Sequence, residues 1–483
     1  MTSTKNRTNP PSEQTLEKFA NIVGEKNALK SPSDQTPYLT EWRDRYTGKT
    51  QLVLKPSSVN EVSEILKLAT QTRTAIVPQG GNTGLVGGQI PNPNGHEIIV
   101  STSRMQAIRS INQAEFTITV DAGVPLAEIQ NAADEAGRLF PLSLASEGTC
   151  QIGGNLATNA GGVGVLAYGS ARNLTLGLEA VLPDGSIWNG LRKLKKDNTG
   201  YDIKDLLIGS EGTLGIITGA VLKLSPRPEH KITAMVGLPD LNSALKFFEK
   251  ARTDLDASLT AFEIISRPGL EFVTSHMPDC RDPFTAPHPW YVLLECSGSG
   301  DLEIIERPLN SLLEKCLTGN GGKPVISDAL IAQSDTQSLA LWALREQMSA
   351  AQKPEGGSIK HDISVPIADI PAFIEKANIL VEKIVPGARP VPFGHFGDGN
   401  IHYNISQPRD MAKEEFLAKW AMISDAVHAL VIEFNGSISA EHGIGQMKRN
   451  LMSRTKSPEE LAIMRAIKNA FDPLGIMNPG KLI

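Results

Sequence analysis

Residues 78–91 read PQGGNTGLVGGQIP, residues 146–170 read SEGTCQIGGNLATNAGGVGVLAYGS, and residues 209–224 read GSEGTLGIITGAVLKL. The first stretch follows the β-branched run TAIV, so a strand is expected to end where Pro78-Gln79-Gly80-Gly81-Asn82-Thr83-Gly84 begins. Glycines remove side chains, which lets backbone N–H groups approach an anion and lets the chain adopt positive φ. Asn82 and Thr83 add donors with little bulk. The second cluster, Gly153-Gly154-Asn155 through Asn159 to Gly164, has the same character. A dinucleotide pyrophosphate suits such loops. Two tight turns in a β-rich domain would have the same composition, and the residues alone leave both readings open. Neither loop is a GxGxxG that opens a helix, so a Rossmann NAD site is not supported.

Outward from these loops, residues 47–226 alternate short β-branched runs with Gly-rich turns: EIIVSTS at 97–103, FTITVDAG at 116–123, LEAVLPDGSIW at 178–188. One helix stands out, with Ser58 or Asn60 as cap and a stripe of Val59, Val62, Ile65, Leu66 and Ala69. SPRPEH at 225–230 reads as a boundary. Beyond it, helical patterns (241–252, 369–385) alternate with strand-like runs (290–298, 360–367), which predicts a second α+β unit over 227–430. Residues 431–483 read as a helical segment containing the capping box Ser457-Pro458-Glu459-Glu460. Residues 1–46 read as a polar tail and helical lead-in.

The bulk numbers bound the function. A chain of 483 residues exceeds one ordinary core. A formal net charge of −6 argues against nucleic-acid binding. Cys150, Cys280, Cys296 and Cys316 form no CxxC pair and read as buried, inert thiols in a reduced, cytoplasmic compartment. The N-terminus MTSTKNRTNPPSEQ has no apolar core of a secretory signal. No apolar run approaches the length of a membrane span.

Two segments carry candidate metal chemistry. PFGHFGDGNIHYN at 392–404 reads as strand, turn, strand, with Asp398-Gly399 at the turn folding His402 back toward His395. His402 and Asn404 then share a face. SAEHGIG at 439–445 supplies Glu441 and His442. Two neutral imidazoles and a carboxylate leave coordination positions open, which suits catalytic Zn²⁺, Mn²⁺ or Fe²⁺. A hairpin with two partly exposed histidines, or a non-haem iron oxygenase triad, would also fit; the latter leaves the glycine loops without a purpose. Arg345 and Ser349 are four apart in a helical pattern, hence expected on one face, and Lys360 is expected at the start of a strand. By themselves they are ordinary surface groups. Beside a bound acid they become carboxylate grips.

The three glycine-rich motifs, in this order, resemble the flavin domain of the vanillyl-alcohol oxidase and p-cresol methylhydroxylase type over about residues 45–226. The resemblance implies an α+β chain with a two-subdomain FAD-binding domain, an α+β substrate (cap) domain with an antiparallel sheet, and the helical C-terminal segment completing the site. It implies FAD lined by Pro78, Gln79, Gly80, Gly81, Asn82, Thr83, Gly84, Ser146, Gly148, Thr149, Gly153, Asn155, Thr158, Gly162, Ile217 and Asn478. Some relatives hold flavin covalently through a His in the first loop. Residues 78–90 contain none, so non-covalent FAD is expected.

GHFGDGNIHYN and SAEHGIG resemble the C-terminal half of the D-2-hydroxy-acid dehydrogenases. That resemblance implies His395, His402 and Glu441 as metal ligands, Asn404 at the substrate, and His442 at the substrate as the base. Arg345, Ser349 and Lys360 resemble the distal-carboxylate grip of the D-2-hydroxyglutarate branch, with Ser349 where some relatives have Thr, which leaves chain-length preference open. The expected reaction is oxidation of D-2-hydroxyglutarate to 2-oxoglutarate. Alternatives within the family are D-lactate, D-malate and glycolate. From another class, an ether-lipid synthase on the same flavin fold would not need the two-His, one-Glu cluster, and a colourless metal hydrolase or oxygenase would lack flavin. No CxxCH and no iron–sulfur cysteine pattern is present, so an external acceptor such as an electron-transfer flavoprotein or a quinone is expected. A homodimer is compatible with this reading.

Overall fold

The computed structural model describes residues 8–483; residues 1–7, the start of the stretch read above for a signal, lie outside the described residues. The described chain divides into two compact units: residues 8–161, 169–227 and 441–483 form the first, and residues 162–168 and 228–440 the second. One break falls inside SPRPEH, between Arg227 and Pro228. The segment 162–168, embedded in the second glycine-rich motif, is counted with the second unit. The C-terminal stretch from Glu441 is contained in the first unit.

In the first unit a four-stranded sheet runs in the order Ala28–Leu29, Val53–Leu54, Glu97–Ser101, Ala75–Gln79, and the last three strands are parallel. The chain end joins it. Ile76 N–H donates to Ile476 O and Asn478 N–H to Ile76 O, so Met477 lies beside Ile76 as one more bridge. Helix Val59–Thr72 covers this sheet as its pattern predicts. Ser58 Oγ accepts from Glu61 N–H, Arg73 ends the helix in the left-handed conformation, and Val62, Ile65, Leu66 and Ala69 are fully buried. Val62, Ile65 and Leu66 each contribute on the order of 1.5–3 kcal/mol by leaving water. A second sheet in this unit is wholly antiparallel, in the order Ile108–Asn112, Thr117–Asp121, Ile216–Lys223, Thr175–Val181, Ile187–Gly190. Helix Pro458–Phe471 carries the expected capping box, with Pro458 in its first turn. Its Lys468 Nζ donates to Thr213 O, Met477 O and the Asp472 carboxylate, tying the chain end to the motif at 209–224.

The second unit is built on an eight-stranded antiparallel sheet. Strands Asp328–Ile331, His230–Leu238, Trp290–Gly298, Leu259–Ser266, Arg389–His395, Asn400–Ser406 and Ser358–Ile359 follow one another across it. Asp362–Ser364 also pairs with Asn400–Ser406. Asp398-Gly399 makes the expected reversal, with Gly399 at φ +88°. The expected continuous helical face over 341–349 is corrected: one helix spans Asp335–Glu346, a short one spans Met348–Ala351, and Gln347 lies between them at ψ −5°. Lys360 sits between two short strands rather than opening one. All four cysteines are free; Cys280 is only half-buried, and burial pushes the Cys296 thiol up to about 12.

Candidate active site

The first unit contains a cleft of about 930 Å³ of empty volume, counting space open to solvent. Its wall includes the whole loop Pro78 to Gly84, together with Gly153, Asn155, Thr158 and Ile217. Ser146, Gly148, Thr149, Gly162 and Asn478 are not among its lining residues. The glycines divide into two kinds. A Cβ on Gly81 would lie 2.1 Å from Thr149 O, and one on Gly153 would lie 2.7 Å from Ala122 Cβ, so these two let backbone segments close on each other. A Cβ on Gly154 would meet nothing within 4 Å, so that glycine leaves the cleft wall bare. Gln79 donates through Nε2 to Tyr38 O and Gln89 O, while its Oε1 is buried with no hydrogen-bond partner among the described residues. The bare glycine wall fits the slender, pyrophosphate-linked body of FAD, and the unmet Gln79 Oε1, an acceptor, fits one of that molecule's hydroxyl or N–H donors.

His442 also lines this cleft. The buried carboxylate of Glu211 accepts the N–H groups of Ile444 and Gly445, both at 2.7 Å, and so pins the turn that follows His442. A Cβ on Gly443, at φ +82°, would come within 2.8 Å of Glu211 Oε1, so the turn needs glycine there. Burial raises the Glu211 carboxyl above its usual range, against the pull of those two N–H groups and of Lys448. Asn478 Nδ2 donates to Glu211 O and Gly88 O, which gives Asn478 a bracing role behind the wall. Sequence reasoning missed Glu211; its place in SEGTLG was the available signal, and Asn82 and Glu211, both in the cleft wall, hold φ near +50°.

In the second unit strand pairing brings the two histidines together. Phe393 is opposite His402 on neighbouring strands, and the His395 and His402 rings are 5.5 Å apart at 76°. On the other side of His395, Glu263 faces it in register. Glu263 Oε1 lies 2.7 Å from His395 Nδ1, and Glu263 Oε2 lies 2.7 Å from Arg345 Nε. Burial disfavours the ionised Glu263, but His395 and Arg345 outweigh it and hold the carboxyl down to about 2. With Nδ1–H given to Glu263, the lone pair of His395 is on Nε2, the tautomer a metal ligand needs. The Arg345 guanidinium also lies over the Phe393 ring, 4.9 Å from its centroid. Asn404 is buried and donates to Gln352 Oε1. Lys360 Nζ lies 3.2 Å from Ser349 O and 3.5 Å from Ser349 Oγ, so the two predicted substrate contacts are neighbours despite the break at Gln347. Glu263 was not foreseen. It lies 82 and 132 residues from its partners, in a strand with no motif of its own.

Comparison with known proteins agrees with both halves. Residues 50–190 match the family described as FAD binding domain, and residues 227–482 match FAD linked oxidases, C-terminal domain. The chain is 39% identical to a putative mitochondrial D-lactate dehydrogenase of Schizosaccharomyces pombe, over 98% of this chain and 90% of the relative. It is 38% identical to a D-2-hydroxyglutarate dehydrogenase of Xanthomonas citri, over 93% of each chain. It is 37% identical to the mitochondrial D-2-hydroxyglutarate dehydrogenase of Arabidopsis thaliana, over 96% of this chain and 80% of the relative. The cytoplasmic expectation thus stands beside relatives named mitochondrial; among the described residues no helix is long and apolar enough to cross a membrane. A solved p-cresol methylhydroxylase superposes with TM-score 0.74 at 16% identity, over 98% of this chain and 97% of that one. An alkyldihydroxyacetonephosphate synthase superposes with TM-score 0.73 at 18% identity, over 98% and 86%. Those two likenesses concern the fold alone. With the flavin-type cleft, the two family matches and full-length relatives of this kind, the chain belongs to the FAD-linked oxidases, in the family of FAD-dependent 2-hydroxy-acid dehydrogenases of vanillyl-alcohol oxidase fold.

Proposed function

We propose that this protein oxidises D-2-hydroxyglutarate to 2-oxoglutarate, using non-covalent FAD and a divalent metal ion held by His395, His402 and Glu441. The observation that carries the metal part is the His395–His402 pair with His395 locked through Nδ1 by the buried Glu263. Glu441 completes the set by chain connection. Ser437 is bridged to Ser364 on the strand whose Asp362 is opposite His402, and Glu441 follows four residues later, a leash of at most about 14 Å. Zn²⁺ suits two imidazoles and a carboxylate best, and Mn²⁺ or Fe²⁺ would also be accepted.

When bound, the metal would supply Lewis acidity toward the 2-hydroxyl, and FAD would supply the hydride acceptor. The chain's residues do the rest. His442 takes the hydroxyl proton, held by the turn that Glu211 pins. Arg345, anchored at Nε by Glu263, directs its remaining guanidinium N–H groups at a carboxylate. Lys360 and Ser349, already neighbours, serve the distal carboxylate. Asn404 donates to the substrate from the strand face it shares with His402. Electrons leave to an external acceptor, an electron-transfer flavoprotein or a quinone. The relative named a D-2-hydroxyglutarate–pyruvate transhydrogenase in Saccharomyces cerevisiae, 35% identical, makes a second 2-oxo acid a further candidate acceptor.

The test is anaerobic mixing of the purified flavoprotein with D-2-hydroxyglutarate, D-lactate, D-malate or glycolate. D-2-hydroxyglutarate should bleach the flavin fastest, and a chelator should stop the bleaching until metal is restored. Faster bleaching by D-lactate would move the substrate to the monocarboxylic branch. Bleaching that survives complete metal removal would sink the metal assignment.

A further inference from the structure

We propose that Glu263 is a positioning residue that couples metal binding to substrate binding: its two carboxylate oxygens separately orient His395 as a ligand and Arg345 as a carboxylate grip. This inference rests on the metal and substrate reading above.

Three observations support it. Glu263 is 1% exposed, yet both its oxygens are engaged by side chains at 2.7 Å, one by His395 Nδ1 and one by Arg345 Nε. His395 and Arg345 are themselves only 8% and 9% exposed, so both contacts are shielded from water, and removing one partner would leave a buried polar or charged group uncompensated. Glu263 is held on a strand whose neighbours on both sides are paired, opposite His395 on one side and Leu293 on the other. The rotamer that serves one partner is therefore the rotamer that serves the other. A side chain needed only for stability on this face of the strand could be apolar, as are Ala261 and Ile265 two residues to either side. An ionised group there gains its place by aligning two others.

The chemistry of an amide sharpens the claim. Glutamine has the shape of glutamate but one acceptor and one donor end. Two N–H donors, His395 Nδ1–H and Arg345 Nε–H, face this residue. In Glu263→Gln one of them must meet an NH₂. If that one is His395, the ring turns to the tautomer with hydrogen on Nε2, which cannot bind metal. If it is Arg345, the guanidinium leaves its place. The ensemble suffers both losses, whereas Arg345→Met removes the grip and leaves the Glu263–His395 bond intact.

The experiment uses full-length flavoprotein with its flavin spectrum as the fold control. Zn²⁺ affinity is measured by chelator competition, and KM and kcat for D-2-hydroxyglutarate at saturating Zn²⁺. Glu263→Gln should weaken Zn²⁺ about 10- to 100-fold and still raise KM about tenfold when Zn²⁺ is saturating. Arg345→Met should raise KM while leaving Zn²⁺ affinity within about threefold of the parent. If Glu263→Gln loses its flavin, Glu263→Asp takes its place: both acceptors remain, each a methylene short, and both readouts should worsen together. A Glu263 variant that keeps its flavin and moves neither readout, or only one, overturns the coupling. A parent protein that binds no Zn²⁺ and ignores chelators overturns the proposed metal site instead, and that arm is read before any variant.

Discussion

The two candidate sites, one in each unit, are made differently. The cleft of the first unit is made of backbone: consecutive residues from Pro78 to Gly84 and a short stretch around Gly153 supply most of its wall. The polar cluster of the second unit is made of side chains. Arg345, Glu263, His395 and His402 come from one helix and three strands, and they meet only because those elements pair and pack. A backbone cradle needs neighbours in sequence, because each N–H is one residue from the next. A charge network needs neighbours in space. The first should therefore break through shape and the second through chemistry.

The largest break is expected at Gly81. In Gly81→Ala the new methyl would lie 2.1 Å from Thr149 O, a backbone atom that cannot step aside without moving the second glycine stretch. Overpacking of this kind costs about 1–3 kcal/mol, and more where the clashing atom is backbone. The purified variant should carry little or no flavin, read from its visible absorbance per protein, and should melt well below the parent. Full flavin content would show that the loop contact at Thr149 is soft and that the two-kinds-of-glycine distinction fails.

The next effect is chemical and leaves the cleft intact. His442→Ala should slow flavin reduction by D-2-hydroxyglutarate about 10²- to 10⁴-fold, the usual worth of a general base. Its flavin spectrum should stay, since Glu211 holds the turn through the backbone of Ile444 and Gly445. A rate within threefold of the parent in anaerobic stopped flow would remove His442 from the base role.

The same contrast explains what could be read from sequence. The glycine loops, the Ser58-capped helix, the Ser457 capping box and the hairpin at Asp398-Gly399 are local: a few consecutive residues contain their cause. What stayed illegible is long-range. Glu263 sits in an apolar strand and looks there like an edge or surface charge; only the register against His395 reveals it as a hub. Glu211 serves a turn more than 230 residues away. The parallel bridge of Met477 to Ile76 joins the chain end to a strand near its start, and no periodicity announces that. The break at Gln347 was hidden by the opposite error: the four-residue spacing of Arg345 and Ser349 is helical, but it says nothing of a junction between two helices.

Lys360 tests whether the side-chain cluster reads both ends of a substrate. Lys360→Ala should raise KM for D-2-hydroxyglutarate about tenfold, one half-buried charge-assisted contact, and should change D-lactate oxidation less than twofold. Parallel losses on both acids would mean that Lys360 supports Ser349, to which it is already close, rather than reading a distal carboxylate.

The smallest effect is expected at Gly154, and it separates shape from stability most cleanly. Gly154 lies inside helix Ile152–Ala157, and a Cβ there meets nothing within 4 Å. Alanine is a better helix former than glycine, so Gly154→Ala should stabilise the flavin-free protein by about 0.5–1 kcal/mol. The same methyl projects from the cleft wall, so it should weaken FAD binding a few-fold, measured by titrating flavin back into the stripped protein. The two results must move in opposite directions. At Gly81 the methyl strikes protein and both stability and flavin fall; at Gly154 it strikes only what the cleft was built to hold. A Gly154→Ala protein that gains stability and binds FAD as tightly as the parent would mean that the flavin does not run past this glycine, and the cradle would have to be redrawn around Gln79 and the first loop alone.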